Sequence, residues 1–291
     1  MKDQTKFKFS EADTSMLSYI SRQKTFKKIN ALEILKGFTF KSFTLEELGL
    51  PSAEHLLQKV KLIESEVGLQ GWRCNNEENQ IYKGFSITHN PTFLYPEDSI
   101  YHQTWGSYLM TQNYSMAKGI GNHTQTKNTY YDSFGFRQIP PKVQTHLGDF
   151  LDKFRYHIVR SRVAYVFGYG RGETKTTQWH VDEDPFKVLR LNIPLQTSNE
   201  HVIDIQGEDP YGNKLNLENQ HLEVGKAYMW NTKVPHRITY SKKCEYQEPR
   251  IHIVLGFTPY FDYDSQSDSF SVNNNFGRSI KEIVDNKEFL R

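Results

Sequence analysis

Three residues of the types that bind metal ions lie in the second half of the chain: His180, Asp182 and His236. His180 and Asp182 are two positions apart in the segment WHVD, so both side chains point to one face if this segment is extended. His236 follows 54 positions after Asp182, in the run VPHRITY. Two imidazoles and one carboxylate on one face of an octahedral ion leave three positions open, an arrangement that suits Fe(II). The three residues therefore predict a metal site with room for further ligands.

A fourth residue of interest, Arg250, begins the apolar run RIHIVLGF, 14 positions after His236. If this run is a strand, alternation turns Arg250 and His252 toward the same cavity. A guanidinium forks onto a carboxylate with two parallel hydrogen bonds, which lysine cannot reproduce. Arg250 has no acidic residue in its own run, so it predicts an anionic ligand such as a dicarboxylate.

The segments around these residues have the pattern of short β-strands. From about residue 161 onward, β-branched and aromatic residues alternate with polar ones, and turn clusters rich in glycine separate the runs. Seven or eight short strands at this spacing predict an antiparallel barrel or jelly roll. In a two-sheet jelly roll, the strand that carries His180 can lie beside the strand that carries His236. The runs are RSRVAYVFGYG, KVLRLNIPLQT, HVIDIQG, NKLNLEN, KAYMWNT, PHRITYS and PRIHIVLGFTP.

The region before these strands has a different pattern. Residues 1–155 are predicted to be helical and rich in loops, and to pack on a β core at 156–264. One helix is predicted after residue 51, and another begins at Pro140 and Pro141. Residues 117–136 are predicted to form a long loop, of the kind that often binds ligands. Residues 265–291 are predicted to be a polar tail with a terminal helix.

Composition excludes several classes of protein. The 291 residues carry a formal charge of +2 with scattered basic residues, which argues against a nucleic-acid partner. The two cysteines, Cys74 and Cys244, form neither a disulfide framework nor a metal-binding pair. The N-terminus lacks the apolar stretch of a signal peptide, and no window is apolar enough to span a membrane. We therefore expect a cytoplasmic protein with neither a nucleic-acid nor a membrane partner. The sequence does not indicate its oligomeric state.

The pattern His180-x-Asp182…His236…Arg250 resembles the signature of the Fe(II)/2-oxoglutarate-dependent dioxygenases. The segments WHVDEDPFKVLRLNIPLQT, EVGKAYMWNTKVPHRITYS and RIHIVLGF resemble, more narrowly, the aspartyl/asparaginyl β-hydroxylase-like branch, which includes hydroxylases of free amino acids such as proline. The resemblance covers roughly residues 161–257. It implies a double-stranded β-helix (a jelly-roll, cupin-like core) with Fe(II), 2-oxoglutarate and O2 as the cofactor and co-substrates.

The resemblance also implies roles for single residues. His180, Asp182 and His236 match the metal ligands, and Arg250 matches the residue that binds the distal carboxylate of 2-oxoglutarate. Arg190 matches a position at which this branch often has an arginine facing the co-substrate. The implied reaction is hydroxylation of an unactivated C–H bond of an amino acid, a peptide side chain or a related small molecule, with release of succinate and CO2. Aspartyl hydroxylases proper replace the carboxylate ligand, whereas this chain keeps Asp182, which favours the small-molecule hydroxylases.

Other readings of the same residues remain open. A non-oxidative, cupin-like protein could hold Zn or Mn on the same ligands and act as a small-acid sensor or an isomerase, although it has no evident need for Arg250. Arg190 could instead form a salt bridge with a carboxylate such as Asp204. Trp179, Trp230 and His252 are candidate substrate contacts. The remaining histidines of this region, His157, His201 and His221, are expected to be structural.

Overall fold

The structure of the chain is a computed structural model. It describes residues 6–8, 31–71, 82–91, 97–103, 133–167, 179–183, 185–210, 212–240 and 248–291. Both cysteines lie outside these residues, as does most of the predicted loop at 117–136. Among the helices within the described ranges, none is long and apolar enough to cross a membrane.

A seven-stranded antiparallel sheet, the large sheet, forms the centre of the fold, with strand order β2-β9-β6-β11-β5-β4-β3. Its first three strands along the chain come from the region before residue 155, so this region extends both edges of the large sheet. The strands are β2 (Phe40–Thr44), β3 (Gln70–Gly71), β4 (Tyr82–Ser86), β5 (Ile158–Val166), β6 (Leu189–Gln196), β9 (Lys226–Trp230) and β11 (Arg250–Phe257).

Two three-stranded antiparallel sheets accompany the large one. The small sheet has the order β10-β7-β8, and the third sheet has the order β1-β13-β12. All seven runs predicted as strands form β5 to β11, so that prediction is confirmed. The strands of these two sheets are β1 (Lys6–Lys8), β7 (His201–Glu208), β8 (Lys214–His221), β10 (His236–Tyr240), β12 (Phe261–Asp264) and β13 (Ser269–Val272).

The two faces of the large sheet bury different partners. On β11, the odd-numbered side chains from Ile251 to Phe257 belong to the main core, together with apolar residues of the helices. The opposite face meets the small sheet, where Tyr228 and Trp230 of β9 pack with Ile203 and Ile205 of β7. The even-numbered side chains of β11, beginning with Arg250, are therefore turned toward the space between the two sheets.

The helices cover the outer face of the large sheet. Helix α2 has buried residues at helical spacing, Leu56, Val60 and Ile63, and the Ser52 hydroxyl caps its first turn by accepting a bond from the His55 N–H at 3.2 Å. Helix α3 begins at a proline, as predicted. The helices are α1 (Ala31–Leu35), α2 (Ala53–Val67), α3 (Pro141–Leu151) and α4 (Ile280–Asp285), with 3-10 turns at Glu97–His102 and Ser133–Gly135.

The segment from 265 onward differs from a simple polar tail. Strand β13 pairs with β12 and β1, and its Phe270 is completely buried. The Phe270 ring meets the Phe134 ring edge to face, with 4.8 Å between centroids. Phe270 thus anchors this polar segment in the core, because burying its aromatic ring gains more free energy than the polar neighbours lose. Helix α4 follows, in the predicted terminal position.

Candidate metal centre

A pair of backbone hydrogen bonds brings the segment WHVD to the start of β10. The His180 N–H donates to the His236 carbonyl at 3.0 Å, and the His236 N–H donates to the His180 carbonyl at 2.9 Å. The two residues thus form an isolated antiparallel bridge at the edge of the small sheet. Because directly opposed residues point to the same face, the two imidazoles lie together, with 4.5 Å between ring centroids.

His180, Asp182 and His236 form a compact set of donors. One ligand atom from each lies within 4.8 Å of the other two, and the sequence prediction that these residues converge is confirmed. The His236 Nδ1 lies 3.0 Å from the Val234 carbonyl, to which it donates when protonated. With the proton on Nδ1, the Nε2 lone pair can bind a cation, and Nε2 lies 3.6 Å from the Asp182 Oδ2. The set is therefore arranged to hold a cation.

Thr232 fixes the segment that carries the aspartate. The Asp182 N–H donates to the Thr232 carbonyl at 2.9 Å, and the Thr232 hydroxyl donates to the Glu183 carbonyl at 2.7 Å. The turn before β10 therefore holds the backbone on both sides of the Asp182 side chain. Nothing in the spacing of the sequence indicated this role for Thr232, because it depends on a contact between two loops.

Arg190 lies beside Asp182, the carboxylate of the triad formed by His180, Asp182 and His236. Its Nη1 donates to the Asp182 Oδ2 at 2.7 Å, and its side chain is buried. Burial raises the pKa of the Asp182 carboxyl, but Arg190, and then His236 and Arg162, lower it by more, so that it lies well below its usual range. Asp182 is thus ionised and oriented by an arginine.

The alternative predicted for Arg190, a salt bridge with a carboxylate such as Asp204, is found with Asp182 instead. The Asp204 carboxylate accepts a hydrogen bond from the Arg237 Nε at 2.8 Å. On β7, Asp204 points away from the neighbouring Ile203 and Ile205, whose side chains fill the space between the sheets. Asp204 therefore lies on the outer face of the small sheet, whereas Arg190 lies on the inner face of the large one.

A second carboxylate beside the triad, Glu183, is surrounded by polar and basic groups of the chain itself. It accepts a hydrogen bond from the Ser133 hydroxyl, and its oxygens lie 3.4 Å from the Lys187 ammonium and 3.7 Å from the Arg160 guanidinium. Burial raises the pKa of the Glu183 carboxyl, but Lys187, Arg160 and Arg190 together lower it by more, so that the pKa lies below its usual value. Glu183 is thus bound by side chains of the chain itself and is not a solvated loop residue.

Arg250 lies deeper between the sheets and contacts His252. Arg250 is 4% exposed, and its Nε donates to the His252 Nε2 at 2.6 Å, while its Nη2 lies 3.2 Å from the His252 Nδ1. Burial lowers the pKa of His252 well below its usual range, and Arg250 lowers it further. His252 is therefore neutral and accepts from the guanidinium. The structure places His252 with Arg250, as the alternation predicted.

The two predicted tryptophans lie in different places: Trp230 lies on β9 of the large sheet and faces the space between the sheets, whereas Trp179 lies at the outer face of the small sheet. Trp230 is buried, and its ring meets the His236 ring edge to face with 5.9 Å between centroids, so it forms a wall of the site. Trp179 is 41% exposed and packs on the Arg237 guanidinium, 4.6 Å from its ring centroid. Because Trp179 and His180 are adjacent in an extended segment, their side chains point to opposite faces. The structure does not bring Trp179 to the triad.

Comparisons with known proteins give remote similarities. No family model matches the chain, and no curated protein matches it. A prolyl-4-hydroxylase of Pseudomonas putida is 10% identical with a TM-score of 0.36, over 78% of this chain and 96% of that one. A prolyl hydroxylase of Trichoplax adhaerens, solved with a hypoxia-inducible-factor peptide, is 11% identical with a TM-score of 0.37, over 88% and 97%.

A third solved structure is the non-heme α-ketoglutarate-dependent epimerase SnoN from nogalamycin biosynthesis. It is 9% identical to this chain with a TM-score of 0.39, over 84% of this chain and 82% of that one.

Proposed function

We propose that this chain is an Fe(II)- and 2-oxoglutarate-dependent dioxygenase that hydroxylates an amino acid, a peptide side chain or a related small molecule. The observation that carries the proposal is the convergence of His180, Asp182 and His236, whose ligand atoms lie within 4.8 Å of one another. Two imidazoles and one carboxylate, with the remaining positions open, are the donors that non-heme Fe(II) oxygenases use.

We infer further that the facing sheets form a double-stranded β-helix, the jelly roll that the sequence predicts. The chain passes from β6 in the large sheet to β7 and β8 in the small sheet, returns to β9, crosses to β10 and returns to β11. Repeated crossing between two facing antiparallel sheets is what a jelly roll requires. The site lies between the sheets, where such folds bind ligands.

The residues around the triad fit an iron site in charge and in orientation. His180, Asp182 and His236 would hold the metal, with Arg190 keeping the Asp182 carboxylate ionised and in place. Bound Fe(II) would supply the activation of O2, which no protein side chain provides. Trp230 packs against His236 and would exclude water from that side of the site.

Arg250 is the residue that we assign to the distal carboxylate of 2-oxoglutarate. His252 occupies the edge of its guanidinium formed by Nε and Nη2. A carboxylate would therefore approach the edge formed by the two Nη groups, where a guanidinium offers two parallel donors. The large sheet would thus bind the organic acid, while the small sheet supplies two of the metal ligands through β10 and its bridge.

The finer assignments remain predictions. Hydroxylation is the proposed outcome, and the Asp182 carboxylate favours it over halogenation, which uses the vacant ligand position. Placement in the aspartyl/asparaginyl β-hydroxylase-like branch rests on the sequence segments that carry the resemblance. The cytoplasmic location and the division of the chain at residues 155 and 264 also stay predictions.

An anaerobic visible spectrum tests the proposal without knowledge of the substrate. Purified protein with Fe(II) and 2-oxoglutarate is expected to show a weak charge-transfer band. We expect the band to be absent in Asp182→Ala and weakened in Arg250→Ala. Arg237→Ala serves as the control, because Arg237 bonds Asp204 on the outer face, and it should keep the band. Protein that binds Fe(II) on these residues and shows no band would favour the non-oxidative, cupin-like reading instead.

A further inference from the structure

The turn at residues 231–234, between β9 and β10, contacts two of the three candidate metal ligands. The Thr232 carbonyl accepts a hydrogen bond from the Asp182 N–H at 2.9 Å, and the Val234 carbonyl lies 3.0 Å from the His236 Nδ1. The third ligand is paired with His236 in the isolated backbone bridge. Because the turn bonds Asp182 and leads directly into His236, its position sets the spacing of the ligands.

Asn231, the first residue of this turn, is completely buried and closes the turn with its own polar groups. Its carbonyl accepts from the Val234 N–H at 3.0 Å, and its Oδ1 accepts from the Lys233 N–H at 3.1 Å. Its N–H donates to the Thr39 carbonyl at 2.8 Å, and its Nδ2 donates to the Asp209 Oδ2 at 2.7 Å. Asn231 therefore joins the turn to two other parts of the chain.

Asp209 follows β7 directly, is 4% exposed, and binds three donors with its carboxylate. Its Oδ1 accepts from the Asn213 N–H at 2.8 Å, and its Oδ2 accepts from the Asn213 Nδ2 at 2.8 Å as well as from Asn231. A carboxylate offers acceptors on both oxygens, so it can hold several amide donors in fixed positions. Water competes little for these bonds because the residue is buried. The loop after β7 thus anchors the turn before β10.

The same network reaches the region that precedes the β core. The Asn213 Oδ1 accepts from the Gly37 N–H at 3.0 Å, and the Thr39 carbonyl accepts from the Asn231 N–H. Gly37 and Thr39 lie between α1 and β2, and β2 forms one edge of the large sheet. A continuous series of hydrogen bonds therefore runs from this segment, through the loop after β7, to the turn that contacts the metal ligands.

We propose that Asp209 is a positioning residue for the metal site. Through Asn231 it holds the 231–234 turn in place, and the turn holds two of the metal ligands at the spacing that binds the ion. Replacement of residues that orient metal ligands lowers metal affinity by about 10- to 100-fold. The inference rests on the proposed function for the identity of the metal, Fe(II), whereas the hydrogen bonds that carry it do not depend on a bound ion.

Amide hydrogen exchange in the metal-free protein, followed residue by residue by NMR, tests the positioning without any bound ion. The Asp182 N–H donates to the Thr232 carbonyl of the turn. In Asp209→Ala we expect this hydrogen to exchange about 10- to 100-fold faster, because loss of a bond to a charged group makes local opening easier. An exchange rate that is unchanged in Asp209→Ala would overturn the proposal.

The matched control is Asp204→Ala. Asp204 lies on β7 and is 6% exposed, and its carboxylate accepts from the Asn219 N–H and the Arg237 Nε at 2.8 Å each. The control therefore removes a similarly buried and similarly bonded carboxylate on the outer face of the small sheet. It should leave exchange at Asp182 unchanged, and the same acceleration in both variants would count against a specific role for Asp209.

Fe(II) affinity, measured by competition with a chelating dye, tests the consequence for the metal site. We expect Asp209→Ala to lower the affinity about 10- to 100-fold, and Asp209→Asn to lower it less, because the amide oxygen can still accept from Asn231. The double variant Asp209→Ala/Asn231→Ala should bind no more weakly than Asn231→Ala, since both residues act on one path. Unchanged affinity in Asp209→Ala, or losses that add in the double variant, would refute the assignment.

A second pair of variants and a second readout complete the test. If Asp209→Ala does not fold, Asp209→Asn is compared with Asp204→Asn in the same two measurements, and equal effects of the two would overturn the proposal. The charge-transfer band with 2-oxoglutarate is recorded on the same samples. A parent protein that binds Fe(II) without showing the band would contradict the proposed dioxygenase and leave the positioning by Asp209 intact.

Discussion

Replacing Arg250 with lysine separates the geometry of the guanidinium from its charge. In the structure the Arg250 Nε donates to His252, and the side chain is 4% exposed. Lysine keeps the positive charge but offers a single compact ammonium on a longer, flexible stem. It cannot bond His252 and present two parallel donors to a carboxylate at the same time. The affinity for 2-oxoglutarate should therefore fall although the charge remains.

The size of this effect follows from the hydrogen bonds lost. A hydrogen bond to a charged group contributes about 1.5 to 3 kcal/mol. Losing one of the two bonds of the fork would then raise the dissociation constant of 2-oxoglutarate by about 10- to 150-fold, at about 1.4 kcal/mol for each factor of ten. The bond to His252 is present without 2-oxoglutarate, so its loss is not counted in this range.

Anaerobic titration of the Fe(II) protein with 2-oxoglutarate, followed at the charge-transfer band, measures the dissociation constant directly. The matched control is Arg237→Lys, the same replacement at an arginine that bonds Asp204 on the outer face. We expect the control to bind 2-oxoglutarate like the unaltered protein. A dissociation constant for Arg250→Lys within about threefold of the control would refute the assignment of Arg250 to the distal carboxylate.

Three further predictions concern the metal, the packing and the pH dependence. Arg190→Gln should lower Fe(II) affinity about 10- to 100-fold by freeing the Asp182 carboxylate, as measured by competition with a chelating dye; unchanged affinity would show that Arg190 does not orient the ligand. Gly256→Ala would put a Cβ 2.5 Å from the Val159 carbonyl oxygen and should cost about 1 to 3 kcal/mol in urea unfolding, whereas a stability equal to that of the parent would contradict the close approach. Burial, and then Arg250, lower the pKa of His201 to about 4, so the unfolded chain binds a proton that the folded protein does not. The free energy of unfolding should therefore fall by about 2 to 3 kcal/mol as pH drops from 6.5 to 4, and the fall should be smaller in His201→Gln.

The sequence was sufficient to predict the strands and the grouping of the three candidate metal ligands. Each strand from β5 to β11 has alternating apolar residues and a turn cluster at its ends, which are local signals. His180, Asp182 and His236 could be selected because few residue types bind metals and their order along the chain is characteristic. The side of β11 to which the Arg250 side chain points could also be predicted, because side chains alternate between the two faces of a strand.

Contacts between strands that are distant in sequence could not be read in this way. The bond between Arg190 and Asp182 depends on how β6 lies under the loop that carries the aspartate, and the alternative partner Asp204 turned out to lie on another face. The role of Thr232 depends on a contact between two loops. The position of Trp179 could have been predicted, because its neighbour His180 was assigned to the inner face of an extended segment and adjacent side chains point to opposite faces.

The bridge between His180 and His236, with the two hydrogen bonds at Thr232, makes the metal ligands one backbone-tied unit at the edge of the small sheet. Arg250, which we assign to 2-oxoglutarate, belongs instead to β11 of the large sheet. Substitutions on β11 would thus change how the organic acid is bound while the three candidate ligands keep their spacing. Arg190 also belongs to the large sheet but bonds Asp182 of the triad, so a substitution there would disturb the metal site as well.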